Sequence, residues 1–151
     1  MHQRLKIVHP FSGSLGMQKI EHIGIAVKTL TQSIPLFERL LNRSCYKIEN
    51  VESEGVKTAF FELGNDKLEL LESADPDGVI ARYIAKYGEG VHHIALAVTD
   101  IEAEMERLAA AGFQLLQDRP RRGADNKMVC FLHPKSANGI LIELCMERVD
   151  G

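Results

Sequence analysis

The feature that most constrains the fold of this chain is an internal repeat with a period of 71 residues. Residues 21–27, Glu-His-Ile-Gly-Ile-Ala-Val, return as residues 92–98, His-His-Ile-Ala-Leu-Ala-Val. The same shift relates Thr29 to Asp100. Because a repeated segment marks a repeated structural unit, the 151-residue chain is expected to contain two copies of one module.

Each copy begins with a strand that leads into an amphipathic helix. Apolar residues recur every three or four positions, namely Ile34, Phe37, Leu40 and Leu41 in the first copy and Ile101, Met105 and Leu108 in the second. This spacing forms one apolar stripe on a helix. Thr29 and Asp100 are suited to cap the two helix N-termini, and Gly112 is suited to end the second helix in a left-handed conformation. Pro35 fits only in the first turn of its helix.

Three strand-like runs follow each helix, separated by turns rich in glycine and asparagine. They cover residues 45–51, 56–63 and 67–72 in the first copy and residues 113–117, 127–132 and 140–145 in the second. A further helix from about residue 75 to residue 87 joins the copies. The pattern predicts an α+β fold in which two tandem βαβββ modules curve around a shared cleft.

The domain boundaries follow from the same pattern. Residues 17–151 are expected to form a single domain, with repeats over about residues 17–75 and 90–149. Residues 1–16 lack periodicity and contain a proline and two glycines, so a flexible N-terminal extension is expected there.

Composition and charge exclude several classes of partner. The chain carries 18 Lys and Arg against 21 Asp and Glu, a net charge of −3, so no basic field attracts nucleic acid. Its longest apolar runs, such as residues 94–98, fall far short of the roughly 20 residues of a membrane span. Cys45, Cys130 and Cys145 are odd in number and lack C-x-x-C spacing, which favours free thiols in a reducing compartment. We therefore expect a cytoplasmic protein without nucleic-acid or membrane partners.

The first strand of each copy carries a histidine where an apolar residue is expected. Side chains alternate along a strand, so His22 shares its face with Gly24 and Ala26, while the bulky residues between them face the helix. In the second copy His93 likewise has two alanines as companions. The small neighbours leave open volume beside each imidazole. His92 is adjacent to His93, so it is expected to face the other way and to be structural.

The last strand of each copy carries a carboxylate among apolar residues, Glu69 in the first and Glu143 in the second. A buried carboxylate needs a compensating positive charge. A single histidine on such a strand is usually a hydrogen-bonded core residue, and a single glutamate usually lies on a solvated edge. However, the same two residue types recur at the same two positions of both copies. Together with His22 and His93 they predict a divalent cation site. His133 is expected to be a turn residue or a distant substrate contact and not a ligand.

Four segments resemble the vicinal oxygen chelate superfamily and, within it, the methylmalonyl-CoA epimerase family. They are residues 22–27, 88–95, 131–136 and 141–144, and the resemblance covers about residues 19–146. It implies a curved mixed sheet around a metal-binding cleft. It also implies an isomerase that interconverts (2R)- and (2S)-methylmalonyl-CoA, by removing and returning the α-proton through a metal-stabilised enolate.

The resemblance implies the same four metal ligands, His22, Glu69, His93 and Glu143. Co²⁺ is the favoured ion, with Mn²⁺, Ni²⁺, Mg²⁺ and Zn²⁺ as alternatives. Some members have Gln in place of Glu69. Certain members also place a glutamate, proposed as an acid/base group, where this chain has Thr58. This chain therefore lacks that acid/base group of the family.

Proton transfer needs acid/base groups on two faces of the substrate, or one group that reaches both. Glu143 and Glu69 come from equivalent strands of the two copies, so they are the predicted pair, with Glu143 the stronger candidate. The partner implied by the resemblance is a coenzyme A thioester, bound by Lys135, Ser136 and Thr58, in a homodimer. Four basic side chains are candidates for its phosphates or for plain solvated charge: Arg121, Arg122, Lys127 and Lys135.

Three other functions remain open from the sequence. A lactoylglutathione lyase of the glyoxalase I type also moves a proton with two His and two Glu, and only family resemblance separates it from an epimerase. An extradiol dioxygenase fits less well, because oxygen chemistry favours two His, one carboxylate and three open positions. A non-catalytic ligand-binding module of the same fold would not need four metal ligands.

Overall fold

The structure is a computed structural model that describes residues 16–148. The first half contains β1 (Met17–Ala26), α1 (Leu30–Leu41), β2 (Lys47–Val51), β3 (Val56–Leu63) and β4 (Asp66–Ser73). After α2 (Val79–Tyr87), the second half contains β5 (Gly90–Val98), α3 (Ile101–Ala110), β6 (Arg121–Arg122), β7 (Lys127–Leu132) and β8 (Ile142–Glu147). Short 3-10 helices cover Glu52–Glu54 and Pro134–Ala137. The extension predicted for residues 1–16 lies outside the described residues, apart from Gly16.

The eight strands of the described residues form one curved mixed sheet in the order β2-β3-β4-β1-β5-β8-β7-β6. β1 pairs parallel with β4, and β5 pairs parallel with β8, while β1 and β5 pair antiparallel with each other. Because β1 and β5 are equivalent strands of the two repeats, a pseudo-twofold axis passes between them. The predicted α+β fold of two βαβββ modules is confirmed.

Two apolar clusters place α1 and α3 on one face of the sheet. In the first, residues of α1 pack with residues of β1, β3 and β4, including Leu30, Ile34, Phe37, Phe61 and Leu70. In the second, residues of α3 pack with residues of β7 and β8, including Ile101, Met105, Leu108, Leu132 and Leu144. α2 packs on the other face, where Ile80 meets Ala26 and Leu71. α2 therefore closes one end of the concave side of the sheet, the side that carries the candidate site.

The prediction of a strand at residues 113–117 is wrong. Only Leu115 forms an isolated bridge, to Leu132, and the true sixth strand is Arg121–Arg122. Phe113 and Leu115 pack against the core, which explains the alternation in the sequence. Their backbone follows β7 without forming a regular ladder. The starts of β2 and β8 are displaced by two residues, to Lys47 and Ile142. The joining helix, predicted from about residue 75, begins at Val79.

The helix ends follow the sequence except at the proline. The side chains of Thr29 and Asp100 each accept a hydrogen bond from the backbone N–H three residues ahead. Gly112 adopts φ +94° just after α3, as predicted. Pro35, however, is the sixth residue of α1 and not part of its first turn. The helix therefore lacks one backbone hydrogen bond, on a side where Pro35 is exposed to solvent.

No helix within residues 16–148 is both long enough and apolar enough to span a bilayer.

Candidate metal centre and active-site cleft

Strand register places the two histidines and two glutamates in two rows across the middle of the sheet. Each row runs from a carboxylate on one strand, past a small residue, to an imidazole on another strand. The rows are Glu69–Gly24–His93 and His22–Ala95–Glu143. The pseudo-twofold axis exchanges the rows, so the two repeats contribute one histidine and one glutamate each.

Three of these side chains converge closely. His22 Nε2 lies 3.0 Å from His93 Nε2 and 3.3 Å from Glu143 Oε2, and His93 Nε2 lies 3.0 Å from Glu143 Oε2. Cis ligands of a six-coordinate ion with bonds of about 2.1 Å lie about 3.0 Å apart. The two nitrogens and one oxygen therefore fit a divalent cation in spacing and in donor type.

Glu69 reaches the cluster through the other side of His22. Its Oε2 atom lies 2.8 Å from His22 Nδ1, whereas the three converging donors include His22 Nε2. All four side chains are buried. The structure thus brings the four predicted residues together, with Glu69 against the ring nitrogen that the other three do not use.

Gly24 creates the space for the His93 imidazole. A Cβ atom at this position would lie 2.1 Å from His93 Cε1, which is far inside van der Waals contact. The small residue on the histidine face is therefore a requirement of the site.

Two β-bulges bring further side chains into the site. β1 and β5 lose register at Glu21 and again at His92, which are equivalent positions of the repeat. A bulge residue departs from strand alternation and re-aims its side chain. Glu21 contacts His22 Nδ1, and His92 Nδ1 lies 2.9 Å from His93 Nδ1. The expectation that His92 faces away from His93 is therefore wrong.

Glu21 is a buried carboxylate held between positive groups. It contacts His22, and its Oε1 atom lies 3.2 Å from Lys67 Nζ and 3.9 Å from Lys127 Nζ. Burial alone would raise the pKa of Glu21, but His22 and Lys67 outweigh it and lower the pKa to about 2. Glu21 is therefore a fixed negative charge that orients the His22 ring.

The central groups polarise one another strongly. Burial alone would lower the pKa of His22, but hydrogen bonds with Glu143, Glu21 and Glu69 raise it well above its usual value. Burial alone would raise the pKa of Glu143, but His22 and His93 lower it to about 2. The cluster therefore carries concentrated negative charge beside imidazoles, an arrangement that suits a cation.

A cleft of about 280 Å³ opens above the cluster. The four clustered residues line it together with side chains from both halves, among them Thr58, Glu54, Arg121, Asp125, Lys127 and Phe131. Thr58 is fully buried. The Phe131 ring stacks edge-on against His93, with ring centroids 5.9 Å apart.

The predicted substrate contacts are distributed unevenly around this cleft. Arg121 lines it, whereas Lys135, Ser136 and Arg122 are not among its lining residues. Ser136 Oγ accepts a hydrogen bond from a backbone N–H 2.9 Å away, and His133 caps the 3-10 helix that carries it. Lys127 also lines the cleft, but its side chain is buried and its Nζ atom lies 2.5 Å from a carboxylate oxygen of β8.

The model of the glyoxalase/bleomycin resistance protein/dioxygenase superfamily matches residues 21–131. This chain belongs to that superfamily. The match begins at Glu21 and includes three of the four clustered residues, all but Glu143.

Three relatives that align with this chain over most of their length have names that state one activity. The mitochondrial methylmalonyl-CoA epimerase of Dictyostelium discoideum is 36% identical over 87% of this chain and 80% of its own. The ethylmalonyl-CoA/methylmalonyl-CoA epimerase of Cereibacter sphaeroides is 36% identical over 83% of this chain and 96% of its own. A variant Streptomyces coelicolor methylmalonyl-CoA epimerase, solved with 2-nitronate-propionyl-CoA, has a TM-score of 0.84 and 33% identity, covering 88% of this chain and 96% of that one. The predicted resemblance and membership of an enzyme family are confirmed.

Sequence reasoning missed several polar groups of this superfamily site. Glu21 escaped notice because strand alternation assigns it to the opposite face from His22. Glu54 and Asp125 lie in connections between strands, where no periodicity indicates direction. The one signal that could have found Glu21 is its alignment with His92, since the repeat places a polar residue before the histidine in both copies.

Proposed function

We propose that this protein is a methylmalonyl-CoA epimerase, which interconverts the (2R) and (2S) forms of its substrate by moving the α-proton. The observation that carries the proposal is the buried triangle of His22, His93 and Glu143 in a cleft built by both repeats. The relatives named above support the choice of substrate. Inversion at this carbon needs a proton to leave one face and return to the other.

A divalent cation would be held by His22, His93 and Glu143, with Glu69 completing the predicted set. When bound, such an ion supplies Lewis acidity, stabilising negative charge on substrate oxygens by several kcal/mol. Co²⁺ is the ion proposed, ahead of Mn²⁺, Ni²⁺, Mg²⁺ and Zn²⁺. Metal analysis of the freshly purified protein identifies it.

Glu143 is the proposed proton-transfer group on the sheet side of the cleft. The contacts of its Oε2 atom with His22 and His93 favour the ionised carboxylate, which is the form that accepts a proton. It can accept the α-proton as the C–H electron pair moves into the thioester. Glu69 is its predicted partner, but Glu69 and Glu143 are the carboxylate ends of two rows on the same face of the sheet, so both reach the cleft from its sheet side.

The coenzyme A portion is proposed to leave the cleft past Arg121, whose side chain is 45% exposed. Thr58 offers the acyl group a buried hydroxyl oxygen that has no protein partner among the described residues. Lys135 and Ser136 are proposed to act outside the cleft, on the nucleotide end of the substrate. The homodimer and the cytoplasmic location also stay predictions, and sedimentation and cell fractionation check them.

Exchange of the substrate α-hydrogen with deuterated water tests the proposal. The wild-type protein should exchange it and epimerise methylmalonyl-CoA. Glu143→Gln should fold normally but exchange the α-hydrogen of one epimer, the one whose proton faces Glu143, at least about 100-fold more slowly, while the surface variant Glu106→Gln should behave as wild type. A protein that instead converts the glutathione hemithioacetal of methylglyoxal, and leaves methylmalonyl-CoA unchanged, contradicts the proposed substrate.

A further inference from the structure

The cleft contains few groups that are free to return a proton to the second face of the substrate. Asp125 is engaged by two cations, with Lys47 Nζ at 2.6 Å and Lys67 Nζ at 3.0 Å from its two oxygens. Glu21 is held by His22 and Lys67. These carboxylates are therefore committed to ion pairs that fix the walls of the cleft.

Glu54 is the exception among the acidic residues that line the cleft. Its Oε2 atom accepts a hydrogen bond from Arg121 Nη2 at 3.1 Å. Its Oε1 atom is buried and has no hydrogen-bond partner among residues 16–148, a condition shared there only by the hydroxyl oxygen of Thr58. A buried carboxylate oxygen without a partner is costly and needs an explanation. A threonine hydroxyl is too weak a base to serve in its place.

The position of Glu54 follows from the curvature of the sheet. β2 and β6 are the outermost strands, yet Glu54, just after β2, contacts Arg121 of β6. Ser53 Oγ also donates a hydrogen bond to the carbonyl oxygen of Arg122, 3.0 Å away. The two edges of the sheet therefore meet across the cleft. Glu54 faces the cleft from this junction, whereas Glu143 faces it from the central part of the sheet.

The environment of Glu54 also suits a group that exchanges protons. Burial raises its pKa, Arg121 opposes the rise, and the charge of Glu143 adds to it. Glu143 can influence Glu54 in this way because both line one cleft. A carboxyl with a raised pKa holds and releases a proton more readily near neutral pH.

We propose that Glu54 is the second proton-transfer group, which acts on the face of the substrate opposite to Glu143. This inference rests on the proposed epimerase function. In one direction ionised Glu143 takes the α-proton, the C–H electron pair enters the enolate, and protonated Glu54 donates its proton to the other face of the carbon. The cleft then holds protonated Glu143 and ionised Glu54, which is the starting state for the reverse direction. Arg121 positions the Glu54 carboxylate.

Each epimer of methylmalonyl-CoA is incubated separately in deuterated water with the wild-type protein, Glu54→Gln and the control Glu52→Gln. Glu52 is exposed and belongs to the same 3-10 helix. Glu54→Gln should epimerise at least about 100-fold more slowly. It should still exchange the α-hydrogen of the epimer that presents its proton to Glu143, and it should lose exchange of the other epimer. Glu52→Gln should match the wild type in both.

The asymmetry between epimers separates a chemical role from a structural one. Unchanged exchange of both epimers by Glu54→Gln overturns the inference, and so does an equal loss of both. A matching increase in melting temperature with Co²⁺ in the variant and the wild type shows that the metal site is intact. If the wild-type protein exchanges neither epimer, the proposed function fails and the inference fails with it. If the wild type epimerises normally, only the role of Glu54 is in question.

Discussion

At the scale of single residues, the site depends on the absence of a side chain at Gly24. Gly24 lies between Glu69 and His93 in its row, and the imidazole occupies the place of a Cβ atom. The corresponding residue of the other row, Ala95, is fully buried and carries a methyl group. The two rows are therefore equivalent in topology but differ in the size of their central residue. The volume available to each imidazole differs between the repeats.

Gly24→Ala should displace the His93 imidazole, because the new methyl group would lie 2.1 Å from Cε1. Affinity for Co²⁺ should fall at least about tenfold, as is common when a ligand loses its orientation. Titration calorimetry measures the affinity, and chemical denaturation measures the cost to the metal-free fold. In a His93→Ala background, Gly24→Ala should cause no further loss of Co²⁺ affinity or of stability, because the imidazole that the new methyl group would meet is absent. An equal cost in both backgrounds would contradict this account.

The ionised Glu54 side chain should lower the stability of the folded state at neutral pH. Burial raises its pKa, with Arg121 opposing and Glu143 adding to the rise. A raised pKa in the folded state means that ionisation destabilises the fold. The penalty is present at pH 7 and disappears as the pH falls below the ordinary carboxyl pKa of about 4.3. Glu54→Gln should therefore melt higher than wild type at pH 7, and the difference should shrink towards pH 4. A lower melting temperature at pH 7 would count against the buried-charge explanation.

At the scale of elements, strand alternation assigns four side chains of the site to the correct face of the sheet and two to the wrong face. His22, His93, Glu69 and Glu143 stand in regular ladder positions, so a period of two places them correctly. Glu21 and His92 lie at bulges, which depend on how the two central strands pair. The sequence of a single strand does not indicate that pairing. For a related reason the run at 113–117 resembles a strand, since its packing alternates although its backbone forms no ladder.

The two N-caps provide a matched test of the repeat at the level of helices. Thr29 and Asp100 occupy equivalent positions and cap α1 and α3 in the same way. Thr29→Ala and Asp100→Ala should each lower the free energy of unfolding by about 1 kcal/mol. Thr31→Ala, at an exposed position in the first turn of α1, is the control and should change it by less than about 0.5 kcal/mol. Urea denaturation measures all three, and similar values for Thr29→Ala and its control would show that the cap contributes little.

At the scale of the whole molecule, the repeat predicts that two halves build one cleft but not how the sheet edges close it. Asp125, between β6 and β7, bridges Lys47 and Lys67 of the first half. Burial alone would raise the pKa of Asp125, but the two lysines lower it, so the bridge stays charged. The contact of Glu54 with Arg121 joins the same halves at the outermost strands. These contacts depend on sheet curvature, which arises from the summed twist of all the strands and leaves no local sequence pattern.

A bound cation should stabilise the whole molecule, because its ligands come together only when both halves have folded and paired. At a Co²⁺ concentration 100 times the dissociation constant the stabilisation is about 2.7 kcal/mol. For a chain of this size that corresponds to an increase in melting temperature of roughly 5–10 °C. His22→Ala and Glu143→Ala remove one ligand from each half, so either should abolish the increase. His133→Ala, in a turn outside the cluster, should keep it. A Co²⁺-dependent increase that survives in both ligand variants would mean that the ion binds elsewhere and that the junction between the repeats is not a metal site.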